Sequence, residues 1–329
     1  MGSNANLLII KKVYLGGGVK LDFQFTQLIK GLCCVLIALA HYPHQSTDGI
    51  GWKLYDLFII QGAHASVAMF FFLSGFGLME SETKKHLNIW QFIIRRLLKI
   101  YKAVLIINIL HYGSILCFGY FQTGIWDSID WKLLLSIAKL DFHFWFIEIL
   151  FSCYFVFAIC TQIKQQKIRT VTLTFGQLAV LFFWLIKGDA IHHVMSIPFF
   201  LVGLYVSLHK DKVALLMKNI WLWIILAITI FAVCYRACIL YDTMPIPIVA
   251  NILIVLGLLW LTSCYEIKLG YKSFLGYISF PIYLVHWKVI LFSSSFGHII
   301  PLWLYMILTI YFAWLLQKTI EISFTQKKL

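Results

Sequence analysis

Ten apolar stretches recur along this chain, near 24–43, 62–80, 98–120, 143–163, 171–187, 192–209, 219–240, 246–264, 274–295 and 300–317, each parted from the next by a short polar segment. A helix crossing a hydrocarbon core of roughly 30 Å needs about 20 mostly apolar residues, and all ten stretches meet or approach that length. The pattern predicts an all-α fold: a polytopic membrane helix bundle of about ten transmembrane helices. No repeat of fixed period divides it and no soluble domain is expected on either side. Residues 1–329 therefore read as a single domain, with 1–23 as an N-terminal segment and 318–329 as a short tail.

Composition narrows the class. The 329 residues are 61% hydrophobic and 12% charged, against roughly 25% charged in a soluble domain, more apolar surface than a water-soluble fold of this size can bury. The 17% aromatic content and the lack of sustained heptads disfavour a coiled coil, and the low Pro and Gly content excludes collagen-like and low-complexity classes. The eight cysteines lie mostly within apolar runs, with no CxxC pair and no His/Cys ligand spacing. They read as small hydrophobes, and no metal site is expected.

Charge then orients the chain. A net charge of +13 in a soluble protein would suggest nucleic acid; in a membrane protein it reports topology. With the N-terminus inside, the cytoplasmic segments carry 20 Lys and Arg and the outer ones carry 6, Lys30 within the first span completing the 27. Such a bias is what the positive-inside rule requires, and it places both termini in the cytoplasm. The run Gly31–Ile37 followed by Ala38-Leu39-Ala40 imitates a cleavable signal peptide, but Lys30 interrupts it and the preceding polar region is too long.

Ionisable side chains inside a span cost a few kcal/mol to insert and mark functional candidates. The first helix holds Lys30 and His41. Eleven residues make three turns, so both project from one face, about 16 Å apart along the axis. Alternatively, Lys30 snorkels to the inner interface and His41 merely ends the helix. The second helix ends in Phe70-Phe71-Phe72-Leu73-Ser74-Gly75-Phe76-Gly77, where small residues permit close helix packing or a break. At the mouth of the third, Arg95, Arg96 and Lys99 could clamp phosphate groups arriving from the cytoplasm, Arg96 and Lys99 sharing a face. His143, Trp145 and Glu148 open the fourth helix, Glu148 being its only carboxylate. Tyr283 and His286 lie on the ninth helix beyond Pro281, whose ring frees a backbone carbonyl. His64, His192 and His193 read as interfacial.

Taken together, these segments resemble the acyltransferase-3 family, membrane proteins that O-acylate surface polysaccharides and related acceptors. The resemblance rests on Lys30 and His41 with ten residues between them; on the FF-x-LSGF run from Phe70 to Phe76; on Arg96 and Lys99 opening the third helix; and on H-x-WF (His143, Trp145, Phe146) and S-x-x-IYL-x-H (Ser279, Ile282, Tyr283, Leu284, His286). The match spans residues 30 to 286. Lys30 and Lys99 stand where the family more often has Arg, and Lys102 lies near a position often held by Pro; lysine keeps the charge but loses the bidentate fork. No SGNH-type hydrolase domain is expected to follow the bundle.

The resemblance implies a cytoplasmic acyl-CoA donor, commonly acetyl-CoA as co-substrate, and a hydroxyl acceptor on a polysaccharide or lipid-linked glycan at the far side of a bacterial cytoplasmic (inner) membrane. It implies no nucleic-acid partner and leaves the oligomeric state open. Arg95, Arg96 and Lys99, with Ser74, Gly75 and Phe76, would bind the donor. His41 would act as general base or transient acyl carrier, which an imidazole with its reference pKa of about 6.5 can do, and Lys30 would guide the donor. Glu148 could pair with Lys30 or orient a histidine, Ser74 and freed amides around Gly75 could stabilise negative charge, and His143, Trp145, Tyr283 and His286 would support the site. The rival expectation is a transporter or lipid-linked sugar flippase using the intramembrane His, Lys and Glu as a path. Paired inverted repeats would favour it, and none is visible.

Overall fold

A computed structural model describes residues 8–12, 18–43, 55–84, 88–123, 145–188, 191–219, 221–223, 225–226, 229, 246–294 and 300–325. Its helices are α1 (Phe23–His41), α2 (Gln61–Lys84), α3 (Ile89–Thr123), α4 (Trp145–Cys160), α5 (Gln166–Ile186), α6 (Pro198–Leu208), α7 (Lys210–Met217), α8 (Ile246–Cys264), α9 (Ser279–Ser294) and α10 (Leu302–Thr325). Single helical turns at Ile191–Val194 and Phe274–Tyr277 precede α6 and α9. Among the described residues, four helical stretches are long and apolar enough to cross a membrane: Phe23–His41, Phe58–Lys84, Gln166–Ile186 and Leu302–Ile322. Trp145–Cys160, Pro198–Leu208 and Ile248–Cys264 are shorter apolar helices.

Nine of the ten expected stretches carry a described helix with shifted ends; the stretch expected at 219–240 lies largely outside the described residues, and α7 falls where a connection was expected. Helix α3 begins at Ile89 instead of near 98, so its basic turn is already helical, and α10 continues to Thr325 through residues expected to form a tail. The all-α expectation needs one correction. Leu8–Lys12 forms β1 and pairs antiparallel with β2 (Tyr265–Leu269), Ile10 opposite Ile267. The strand signal was in the sequence: Tyr265, Ile267 and Leu269 alternate with Glu266 and Lys268, the period-2 pattern of a half-buried strand, and Ile267 and Leu269 are the buried members.

Helix α2 is the hub, packing against α1, α6 and α8. Its approach to α6 depends on two glycines. A Cβ at Gly75 would lie 2.1 Å from the Phe200 carbonyl oxygen, and one at Gly203 would lie 2.1 Å from that of Phe72. The backbones touch because no side chain stands between them. Helix α2 also runs unbroken through Gly75. Of the two alternatives, close helix packing is the one found, and there is no break with freed amides at Gly75. Pro281 likewise produces no mid-helix kink: it sits in the first turn of α9, where helices tolerate proline.

Helix α1 is fastened at both ends. Asp22 caps it, its carboxylate accepting from the amides of Gln24 (2.9 Å) and Phe25 (3.1 Å). At the other end the carbonyls that a helix leaves without partners are met by distant tyrosines: Tyr305 donates to Ala38 O (2.9 Å) and Tyr55 to Leu39 O. Tyr42, just past the helix, donates to Ile300 O (2.9 Å). These bonds hold the turn that carries His41.

Candidate active site

Two cavities lie along α1, α2 and α4, one toward each end. The first, about 910 Å³, is lined by Lys30 of α1, Ser74 of α2, Arg96 and Lys99 of α3 and Tyr154 of α4. Its rim adds Lys20, Lys84, Lys210 and Lys268 together with Asp22, Glu80, Asp211 and Glu266. The second, about 300 Å³, is lined by Ile37 and His41 of α1, His64 and Val67 of α2, Trp145 of α4, and His193, Tyr283, His286 and Trp287.

Charge in the first cavity is unevenly neutralised. Glu80 pairs with Lys210 and Lys84 and accepts from Ser207 Oγ at 2.7 Å. Glu266 pairs with Lys268 (3.0 Å) and Lys20 (3.5 Å), and the hydrogen bond from Lys268 holds its carboxyl below the ordinary range. Asp22 is engaged at the α1 cap. Glu80 and Glu266 thus meet rim lysines and Asp22 the backbone, and among the described residues no carboxylate pairs with Lys30, Arg96 or Lys99. The Arg96 guanidinium is held against aromatic faces, 5.8 Å from the ring centroids of both Phe92 and Tyr154, which orients it while leaving its donors for a ligand.

In the second cavity geometry dominates. His41 Nδ1 lies 2.8 Å from Ile37 O. A carbonyl can only accept, so Nδ1 donates in this bond, and in the neutral imidazole that leaves the lone pair on Nε2. His286 meets His41 edge-on with ring centroids 5.0 Å apart, and Trp287 does so at 5.5 Å. His286 Nδ1 lies 3.2 Å from Ile282 O, and the imidazole is buried. Trp145 stacks on His193 with centroids 3.6 Å apart and planes 13° from parallel. The chain also enters α2 through a π-helical turn, Asp56–Ile60, a local widening often found at functional sites, and Ile60 lines this cavity.

A family model described as "Acyltransferase domain", that of the acyltransferase-3 group, matches residues 23–318. The chain belongs to this family. No curated protein and no solved structure gives a significant match. The match takes in every described helix except the last residues of α10, so both cavities belong to a membrane acyltransferase domain.

The candidate residues of this acyltransferase fall into three groups. Lys30, Arg96, Lys99, Ser74 and Phe76 line the first cavity, and His41, Trp145, Tyr283 and His286 line the second. Others stand apart. Gly75 faces α6, and Glu148 pairs with Lys187 at the end of α5 (3.8 Å) instead of with Lys30. Lys187 itself lies 4.0 Å over the ring of Trp184. The last group is outside the description: His143 lies outside the described residues, as does the side chain of Arg95. Residues that the sequence did not single out join the site too: Tyr154 in the first cavity, Trp287 in the second, and His64 and His193, expected only as interfacial. Spacing could not reveal the last two, since they converge from separate helices.

Proposed function

We propose that this acyltransferase takes an acyl group, in the simplest case acetyl, from cytoplasmic acyl-CoA held in the Lys30 cavity and delivers it to a hydroxyl of a surface polysaccharide or lipid-linked glycan beside His41. The observation that carries this reading is the pairing of the cavities on one side of α1. A cluster of three cations without carboxylate partners among the described residues suits the phosphates of a coenzyme A thioester, and an imidazole with its lone pair on Nε2 suits activation of a hydroxyl.

In the reaction, His41 Nε2 takes the proton of the acceptor hydroxyl as its oxygen attacks the thioester carbonyl carbon. The oxyanion then collapses, the carbon–sulfur bond breaks, and the departing thiolate receives the proton from the His41 imidazolium. General-base help of this kind is worth roughly 10²–10⁴ in rate. The Nδ1–H bond to Ile37 O keeps the ring in the tautomer required and helps to stabilise its cationic form. Lys30, Arg96 and Lys99 bind the donor phosphates, and Trp145, His193 and Trp287 shape the acceptor side. A bacterial cytoplasmic membrane, with the Lys30 cavity facing the cytoplasm, suits this arrangement.

The test supplies membranes carrying the wild-type protein with labelled acetyl-CoA and follows label into glycan or lipid. Transfer by wild type and its loss in His41→Ala, with both proteins accumulating equally, is the expected result. Undiminished transfer by His41→Ala would overturn the mechanism.

A further inference from the structure

The two cavities do not join. On α1 the first ends at Lys30 and the second begins at Ile37; on α2 the corresponding residues are Leu73 and Val67. Seven helical residues on α1 and six on α2 correspond to about 9–10 Å between the two cavities. What fills it is aromatic. Phe70 lies one turn from Ser74 on α2, its ring centroid 5.8 Å from that of Phe146, which is in turn 5.4 Å from that of Tyr283. Phe70 is packed against all three of the hydrophobic clusters of the bundle. Cys34, one turn from Lys30 and 1% exposed, is buried in the cluster that Phe70 and Tyr283 touch.

We propose that Phe70, with Phe146 and Tyr283, is a partition through which the acyl group must pass to reach His41, and that the bulk of Phe70 sets the longest acyl chain admitted. This rests on the functional reading above. Phe70 is a specificity-determining residue and takes no part in bond making. Dense packing on both sides means that removing the ring leaves a void that neighbours fill only in part, joining the cavities. The three aromatic rings touch edge to face, so a rotation of one about its side-chain bonds opens a path without moving a helix.

Cys34 reports on the partition independently of chemistry. In the full chain reconstituted in lipid vesicles, with the seven other cysteines changed to alanine, a small methanethiosulfonate reagent is expected to modify Cys34 at least tenfold faster when Phe70→Ala is introduced. If Phe70→Ala lowers accumulation, Phe146→Leu carries the same expectation with a smaller loss of volume. Equal rates in both variants and the parent would overturn the partition. In parallel, kcat/KM is measured with acetyl-CoA and hexanoyl-CoA. Phe70→Ala should raise the hexanoyl-to-acetyl ratio at least tenfold and Phe70→Trp should lower it; a ratio unmoved by both overturns the specificity role. Absence of transfer by wild type from any acyl-CoA overturns the functional reading and the specificity claim with it, while the thiol rates still decide the partition.

Discussion

The two cavities share three helices yet are built on opposite principles. The Lys30 cavity is wide and depends on charge. Its basic side chains come from several elements, and Glu80 and Glu266 are taken up by rim lysines, so that among the described residues Lys30, Arg96 and Lys99 remain without a carboxylate. The His41 cavity is a third of that volume, and its parts are held by directional contacts: a backbone bond to Nδ1, edge-on rings and a stacked Trp145–His193 pair. A flexible polyanion can be retained by any suitable arrangement of cations. Proton transfer needs one atom at one position. Loss of a residue should therefore act on donor affinity at one end and on turnover at the other.

The strongest test of that contrast is at the His41 end. His41→Ala should lower kcat by roughly 10²–10⁴ and leave KM for the acyl-CoA unchanged, measured in steady state with purified protein. A variant with intact kcat and raised KM would mean that the ends are assigned the wrong way round. Lys99→Ala should do the reverse. A charge-assisted hydrogen bond contributes about 1.5–3 kcal/mol, so KM for the donor rises roughly ten- to hundredfold while kcat changes little. Because the cavity is open to solvent ions, the wild-type KM should itself rise with salt.

A subtler variant asks whether the pinned helix end matters as well as the imidazole. Tyr305 is fully buried and donates its only hydroxyl hydrogen to Ala38 O, one turn before His41. Tyr305→Phe leaves that buried carbonyl without this donor, which costs about 1–3 kcal/mol. It should lower thermal stability and reduce kcat several-fold, again without moving the donor KM. An unchanged kcat in a destabilised protein would show that the tyrosines hold the bundle and not the base.

The sequence made one axis of this arrangement legible and hid the other. Lys30 and His41 share a helix, so helical periodicity alone puts them on one face, and Arg96 with Lys99 follows from the same rule. Contacts between helices are different. Nothing local to His64 or His193 says that they approach His41, and nothing in the LSGF run distinguishes a packing notch from an anion cradle until Phe200 and Gly203 of α6 are seen against Gly75. The strand Tyr265–Leu269 was legible in its alternation but lay in a segment taken for a connection. Glu148 shows the limit most clearly. As the only carboxylate of its helix it invited a partner in the active site, but its partner is Lys187, just past the end of α5.

That pair supplies the smallest expected effect and the sharpest control. The side chains of Glu148 and Lys187 are 36% and 51% exposed and 3.8 Å apart. At that exposure water screens the pair, and ion pairs of this kind contribute about 0–1 kcal/mol. Glu148 also lines neither cavity. Glu148→Gln preserves its shape and removes its charge, so accumulation, kcat and donor KM should all stay within about twofold of wild type, a difference worth less than about 0.5 kcal/mol. A fall in kcat of the size expected for His41→Ala would show that the carboxylate reaches the imidazole during turnover, and the separation of the pinned cavity from its surroundings would have to be redrawn to include α5.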